Sequence, residues 1–233
     1  MIGIIAAMKA EIECVKNEMT DKSVKIYSGI EFVSGKFKGR DVVVAQCGIG
    51  KVFAAICTEA MILLYHPDVI INTGVGGTLT KELSVGDIAI SLNVVQHDMD
   101  TSPLGDPVGL VSGINMVYFP ADSRIYIELA KCADKLGINN IVGTIASGDQ
   151  FIASAERKNY IRDKFSAIAC EMEGAAIGHV CYVNQVPFAV VRAISDSADD
   201  SSHMDYGEFL ELAAERSFGV VSLFAESFDL SKT

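Results

Sequence analysis

Apolar positions along this chain fall into two rhythms. Short unbroken runs come first: IGIIAA at 2–7, VVVAQC at 42–47, DVIINTG at 68–74, GDIAISLNVV at 86–95, IVGTIAS at 141–147 and VPFAVVRAIS at 186–195. Runs of this length, rich in Ile and Val, predict strands buried on both faces. Between them lie segments with helical spacing. These run from Met8 or Lys9 to about Asn17, from Val52 to Tyr65 with Pro67 as the stop, and over SRIYIELAKCADKLG and SAERKNYIRDKF. AIACEMEGAAIGHVCYVNQ reads as a strand passing into a helix, and YGEFLELAAERSFGVVSLFAESF as a terminal helix that continues through Gly219. Residues 23–37 alternate loosely and predict paired strands with a turn near Lys38-Gly39-Arg40. Residues 96–119 carry no period and hold both Pro and Gly, as functional or interface loops do.

Strands alternating with helices predict an α/β fold with a largely parallel sheet. No linker rich in Pro, Gly or Ser and no internal repeat divides the chain, so residues 1–233 are expected to form one domain.

Composition narrows the function classes. The chain has 233 residues, 50% of them hydrophobic and 21% charged, which excludes a disordered chain. A formal charge of −11 without any dense basic stripe argues against nucleic acid and against an anionic membrane surface as partners. The 6 cysteines form no CxxC and sit mostly in apolar segments, as buried free thiols do. With 4 histidines and no HExxH, no metal is expected. MIGIIAAMKAE lacks the basic lead of a secretory signal and no apolar run approaches the length of a membrane span, so a cytoplasmic location is expected.

In open α/β sheets, ligands bind beyond the carboxyl ends of the strands. Four such ends stand out: Met8 to Glu11, Gly74-Val75-Gly76-Gly77, Glu171-Met172-Glu173 and Ser195-Asp196. The glycine run meets neither GxGxxG nor the P-loop pattern, so it reads as a tight turn or as backbone that approaches a small ligand closely. The carboxylates say more, because acidic side chains are seldom found in apolar stretches. If extended, IACEMEG points Glu171 and Glu173 the same way. Asp196 ends a buried strand, where loss of water suits a carboxyl group to general-acid work or where it simply caps a loop.

These residues stand in an ordered set that resembles the bacterial 5'-methylthioadenosine/S-adenosylhomocysteine nucleosidases of the nucleoside phosphorylase superfamily. The set comprises IGIIAAM with Glu11, CGIGK at 47–51, PDVIINTG at 67–74, VGDI at 85–88, HDMD at 97–100, SGDQFI at 147–152, CEMEGAAIGHVC at 170–181 and VPFAVVRAISDSAD at 186–199. The resemblance implies a three-layer α/β/α sandwich around a mixed, partly barrel-like sheet. It implies a homodimer in which the partner closes part of each pocket, and cofactor-free hydrolysis of the N-glycosidic bond of an adenine nucleoside.

Site roles follow from the same resemblance. Asp196 is expected to protonate N7 of adenine with Ser195 orienting it, Glu11 to hold the attacking water, and Glu173 to bind the ribose hydroxyls. Met172 is expected under the ribose, Phe151 stacked on the purine, and the Ile152 backbone at its edge. Glu171, Met8, Ile49, Gly76 and Tyr206 are further substrate-side candidates, with core packing the other reading for Met8 and Ile49. Arg192 is expected to partner a carboxylate from behind the site. Leu104 stands where a partner-subunit aromatic is expected, Tyr206 where a phenylalanine is usual, and Val75-Gly76 where the family shows Ser-Ala. His97, Asp98 and Asp100 are expected to be structural or to face an interface.

Phosphorolysis on the same scaffold would need an anion pocket, and Lys51 is the one basic residue in the glycine loops. A nucleoside-binding protein without catalysis is the remaining alternative. Methylthioadenosine, S-adenosylhomocysteine, 5'-deoxyadenosine and aminofutalosine share adenine and ribose and differ at the 5' end.

Overall fold

The computed structural model describes the backbone of residues 1–198 and 202–232, and side chains over 1–198 and 209–231. Among the described residues, ten strands form one sheet: β1 (Ile2–Ala6), β2 (Thr20–Tyr27), β3 (Ile30–Phe37), β4 (Arg40–Gln46), β5 (Val69–Thr78), β6 (Ile88–Gln96), β7 (Tyr118–Pro120), β8 (Asn140–Ser147), β9 (Ala167–Glu171) and β10 (Phe188–Asp196). The described residues also form six α-helices: α1 (Lys9–Glu18), α2 (Lys51–Tyr65), α3 (Ser123–Lys135), α4 (Ala155–Phe165), α5 (Gly174–Val183) and α6 (Ser202–Ser227).

The sheet runs β10-β6-β8-β9-β5-β1-β4-β3-β2, and β10 also pairs with β5. That second pairing closes β5, β9, β8, β6 and β10 into a five-stranded barrel, from which β1 to β4 extend as an open wing. Among the described residues, five strand pairs are parallel and five antiparallel. The sheet is therefore mixed, and the expectation of a largely parallel sheet is corrected. Hairpins β2–β3 and β3–β4, together with the antiparallel seams β5–β9 and β6–β10, account for most of the difference.

Helices α1, α3 and α6 cover one face, with Ile4, Val44, Ile71 and Val191 packed beneath Val15, Leu129 and Phe224. Helices α2 and α5 cover the other, where Ile5, Val43, Ile70 and Val190 meet Cys57, Met61 and Ile177. The short α4 packs Ile161 and Phe165 over β8 and β9. Caps fix two helix starts: the Asp122 carboxylate accepts from Arg124 N, and the Ser154 hydroxyl accepts from Arg157 N. Helix α6 runs unbroken through Gly219, as its periodicity predicts.

Three local readings change. The paired strands begin at Thr20 and turn first at Ser28-Gly29, with Lys38-Gly39 as the second turn. The 96–119 excursion contains a 3-10 turn at Ser102–Leu104 and the short β7. The GVGG segment, read as a loop, is the second half of β5 and is buried throughout. Among the described residues, no helix is long and apolar enough to cross a membrane.

Candidate active site

Strands β1, β5, β9 and β10 end together at one rim, and a cavity of about 340 Å³ opens there. Met8, Glu11, Ile49, Gly76, Phe151, Ile152, Glu171, Met172, Glu173, Ser195 and Asp196 all line it. Eleven residues given a catalytic or substrate-side role from the sequence thus converge on one space, although they lie up to 188 residues apart along the chain. Ala7, Val75, Gly77, Gln150 and Cys170 complete the lining.

Glu11 sits in the first turn of α1, and its side chain folds back to the helix start. Oε2 accepts from Met8 N at 2.8 Å, and Oε1 accepts from Val75 N at 3.0 Å. The residue is 4% exposed, and burial pushes its carboxyl group up. The Arg192 charge and the amides of Met8, Val75 and Ala7 oppose that rise. Gly74 leaves room for Glu11 where it stands: a Cβ there would lie 2.6 Å from Glu11 Oε1 and displace the carboxylate.

Glu171 and Glu173 do not point the same way. The strand ends at Glu171, and Glu173 takes φ −131° and ψ −39° as the N-cap of α5. Glu171 turns inward. Its Oε2 accepts from Glu173 N at 3.0 Å and Gly174 N at 2.7 Å and pairs with Arg192, while Oε1 accepts from the Ser147 hydroxyl. It lies at the N-terminus of α5, with both oxygens held by protein donors. Glu173 turns to the cavity rim, where Oε1 accepts from Gly50 N at 2.7 Å. Gly50 takes φ +98°, a backbone region that glycine reaches without strain. Burial, reinforced by the Glu171 charge, pushes Glu173 up to about 7, against the pull of Arg192 and the Gly50 amide.

Arg192 lies beneath these groups at 2% exposure. It pairs with Glu171 and donates to the Asn72 side chain, and its Nη1 donates to Val191 O at 3.0 Å. Burial pulls the guanidinium down, but the charges of Glu171, Glu173 and Glu11 prevail and hold it above its ordinary value. Arg192 therefore acts as a fixed countercharge for three carboxylates and does not line the cavity.

Asp196 ends β10 at 3% exposure. Oδ1 accepts from Ala198 N at 2.8 Å and Oδ2 from the Ser195 hydroxyl at 2.9 Å. The same hydroxyl lies 3.5 Å from Gly76 O, so it has a second acceptor within reach. Gly77 gives Asp196 its room, since a Cβ there would lie 2.7 Å from Oδ1.

Phe151 stands at the rim, 44% exposed, on the loop between β8 and α4, with Ile152 buried behind it. Leu104 is 83% exposed and lies off the cavity lining. The side chain of Tyr206 lies outside the described residues. His97, Asp98 and Asp100 face three different partners: Arg157, Lys51 and the amide of Ser102. Among the described residues, no cluster of three His, Cys, Asp or Glu could hold a metal ion. Sequence reasoning did not single out Asn72 or Ser147, which fix Arg192 and Glu171. A polar Asn inside the apolar run DVIINTG is the signal that marks the first.

The described lining contains four buried carboxylates, Glu11, Glu171, Glu173 and Asp196, and no Arg or Lys. Such a site stabilises positive charge developing on a bound molecule and repels an anion.

Comparison with known proteins places this arrangement. Residues 1–226 match the family model described as the phosphorylase superfamily. A 5'-methylthioadenosine/S-adenosylhomocysteine nucleosidase of Haemophilus ducreyi is 42% identical over 228 residues, 97% of this chain and 98% of that protein. The nucleosidase of Neisseria meningitidis, solved in complex with methylthio-immucillin-A, superposes with a TM-score of 0.94 at 34% identity, covering 97% of this chain and 99% of that one. The futalosine hydrolase of Helicobacter pylori superposes with a TM-score of 0.90 at 34% identity, covering 97% and 96%. On the family model and on the near-complete coverage of these relatives, the chain belongs to the phosphorylase superfamily and, within it, to the 5'-methylthioadenosine/S-adenosylhomocysteine nucleosidases.

Proposed function

We propose that this protein hydrolyses the N-glycosidic bond of 5'-methylthioadenosine and S-adenosylhomocysteine, releasing adenine and the thioribose. The observation that carries this reading is the set of buried carboxylates around a cavity whose described lining holds no cation. Phosphate as a nucleophile would meet like charge there, whereas water meets none. The family membership and the named activities of the relatives support the same choice.

In this mechanism the C1'–N9 bond breaks with its electron pair moving onto the purine. Asp196 delivers a proton to N7, so adenine leaves neutral and not as a high-energy anion. The Ser195 hydroxyl, with acceptors at Asp196 and Gly76 O, serves the carboxyl group in either protonation state. The sugar becomes oxocarbenium-like, and Glu173 binds its hydroxyls and faces its positive charge. Glu11 takes the proton of the water that attacks C1'. Met172 supports the ribose, Phe151 stacks on the purine, and the Ile152 backbone and Gly76 meet its edge. Met8 and Ile49 flank the 5' group. Both protons return through solvent, so no cofactor enters the balance.

The reading also takes residues 1–233 as one domain acting as a homodimer in the cytoplasm. The exposed apolar side chains Val52, Phe53 and Ile56 on α2, and Leu104 on its loop, support a partner surface. The 6 free cysteines fit a reducing compartment. Sedimentation velocity reads the oligomeric state directly, and a monomer at micromolar concentration removes that part.

The activity test is adenine release from methylthioadenosine in phosphate-free buffer. Release is expected, and Asp196→Asn is expected to lower kcat by about 10²–10⁴-fold while the protein stays folded. A requirement for phosphate, or tight binding with no turnover, defeats the reading. Comparing kcat/KM for methylthioadenosine, S-adenosylhomocysteine, 5'-deoxyadenosine and aminofutalosine ranks the 5' groups.

A further inference from the structure

Three loops meet beside the cavity, and polar groups that lie behind its lining close a ring. The Lys51 backbone N–H donates to Asp149 Oδ1 at 2.8 Å. The Asp149 backbone N–H donates to Asp98 Oδ2 at 2.9 Å. Asp98 Oδ1 accepts from Lys51 Nζ at 2.6 Å, which returns to the starting residue. Lys51 Nζ also donates to Gln96 Oε1 at 3.2 Å. The ring ties the loop after β4, the loop after β6 and the loop after β8 to one another. None of the three residues lines the cavity.

Each end of the ring leads into the site within two residues. The amide next to that of Lys51 belongs to Gly50, which donates to Glu173 Oε1. Two residues beyond Asp149 stands Phe151. The first turn of α2 thus offers consecutive N–H groups to two carboxylates, one in the site and one in the ring. Asp149 Oδ1 lies at that helix N-terminus, where the backbone N–H groups point outward. Space there is tight, since a Cβ on Gly50 would lie 3.0 Å from Asp149 Oδ1.

We infer that Asp149, held by Lys51 and Asp98, is a positioning residue that locks the Phe151 loop and the Gly50 amide into one unit, so that the purine platform and the ribose carboxylate are set together. This rests on the nucleosidase reading above. Opening the ring lets the 148–152 loop move away from α2 and loosens the Gly50 donor on Glu173.

The direction of the effect separates this role from simple electrostatics. Losing a hydrogen-bond donor raises a carboxyl group's titration point, whereas losing a nearby negative charge lowers it. The charges facing Glu173 are those of Glu171, Arg192 and Glu11, the Cys47 thiol lies close by, and Asp149 acts on it only through the Gly50 loop.

The test is the pH dependence of kcat/KM for methylthioadenosine in phosphate-free buffer, compared between wild type and Asp149→Ala. The acidic limb is expected to move up on the order of one pH unit, with KM rising on the order of tenfold. Asp149→Asn keeps an acceptor oxygen for the Lys51 amide and is expected to restore both close to wild type. A limb that stays in place or moves down overturns the inference, as does an Asn variant no better than the Ala variant. If Asp149→Ala does not fold, Lys51→Met opens the same ring at another bond, and a smaller upward shift is expected. An unmoved limb in that variant overturns the inference equally. Wild type run in parallel separates the two claims: no adenine release defeats the nucleosidase reading together with this one, while an active wild type with an unmoved limb defeats the positioning role alone.

Discussion

Glu173→Gln should stabilise this protein, and increasingly so as pH rises above about 4.5. Burial beside Glu171 lifts the Glu173 carboxyl group from its ordinary 4.5 to about 7 in the folded chain. Between those values the native state holds a proton that the unfolded chain has released, so stability falls as pH rises through the window. Integrating the difference, wild type loses about 1 kcal/mol by pH 5 and about 3 kcal/mol by pH 8. Gln has the same shape, keeps an oxygen for the Gly50 amide and carries no charge, so this loss is absent from it. The gap between variant and wild type should therefore widen by about 2 kcal/mol from pH 5 to pH 8. Urea unfolding followed by circular dichroism measures it, since the chain has no tryptophan to report by fluorescence. With a urea slope of about 2–3 kcal/mol/M, the change corresponds to a midpoint difference of roughly 1 M. Protein concentration must be held constant, because association adds its own stability. A gap that is flat or narrows over that range refutes the reasoning. Activity should be lost in the same variant, so stability and catalysis oppose each other at this position.

Two other substitutions are expected to act differently. Glu171→Gln, two residues away, should destabilise the protein by about 3 kcal/mol, because it removes one half of a buried ion pair and leaves Arg192 facing a neutral group; the same urea assay reads it, and a loss below about 1 kcal/mol contradicts the role given to Arg192. Gly74→Ala places a methyl 2.6 Å from Glu11 Oε1, so kcat should fall about 100-fold or more in a protein that still folds cooperatively. Unchanged turnover in that variant would remove Glu11 from the chemistry.

Most helices and strands were legible because their apolar positions recur in a fixed rhythm, as in IGIIA for β1 and SRIYIELAKCADK for α3. The second half of β5 was not, because GVGGT has almost no side chains to carry a rhythm. Its glycines answer to neighbours remote in sequence: Gly74 to Glu11, and Gly77 to Asp196. Barrel closure was equally hidden from the apolar pattern and entered only through the family resemblance. It depends on β10 pairing with both β5 and β6, a matter of register that no local window contains. The cavity residues were legible as acidic or aromatic residues at strand ends, helped by the family resemblance. The opposite turns of Glu171 and Glu173 were not. Which of the two is held inward by Arg192 depends on one backbone turn at the start of α5. The Lys51, Asp98 and Asp149 ring joins three motifs that the sequence shows only as separate fragments.

The seam strand β10 is hydrogen-bonded along both edges, to β5 and to β6, and it ends in Asp196. A strand clasped on both sides has no route to swing by itself, so amide exchange near Ala193 should require opening the whole barrel. Motion during a catalytic cycle is thereby confined to the other half of the cavity wall, where Ile49 and Phe151 stand on loops. On the proposed roles, the site divides into an anvil that carries Asp196 and a jaw that admits the substrate. Change in the jaw can retune which 5' group is accepted while the anvil stays as it is.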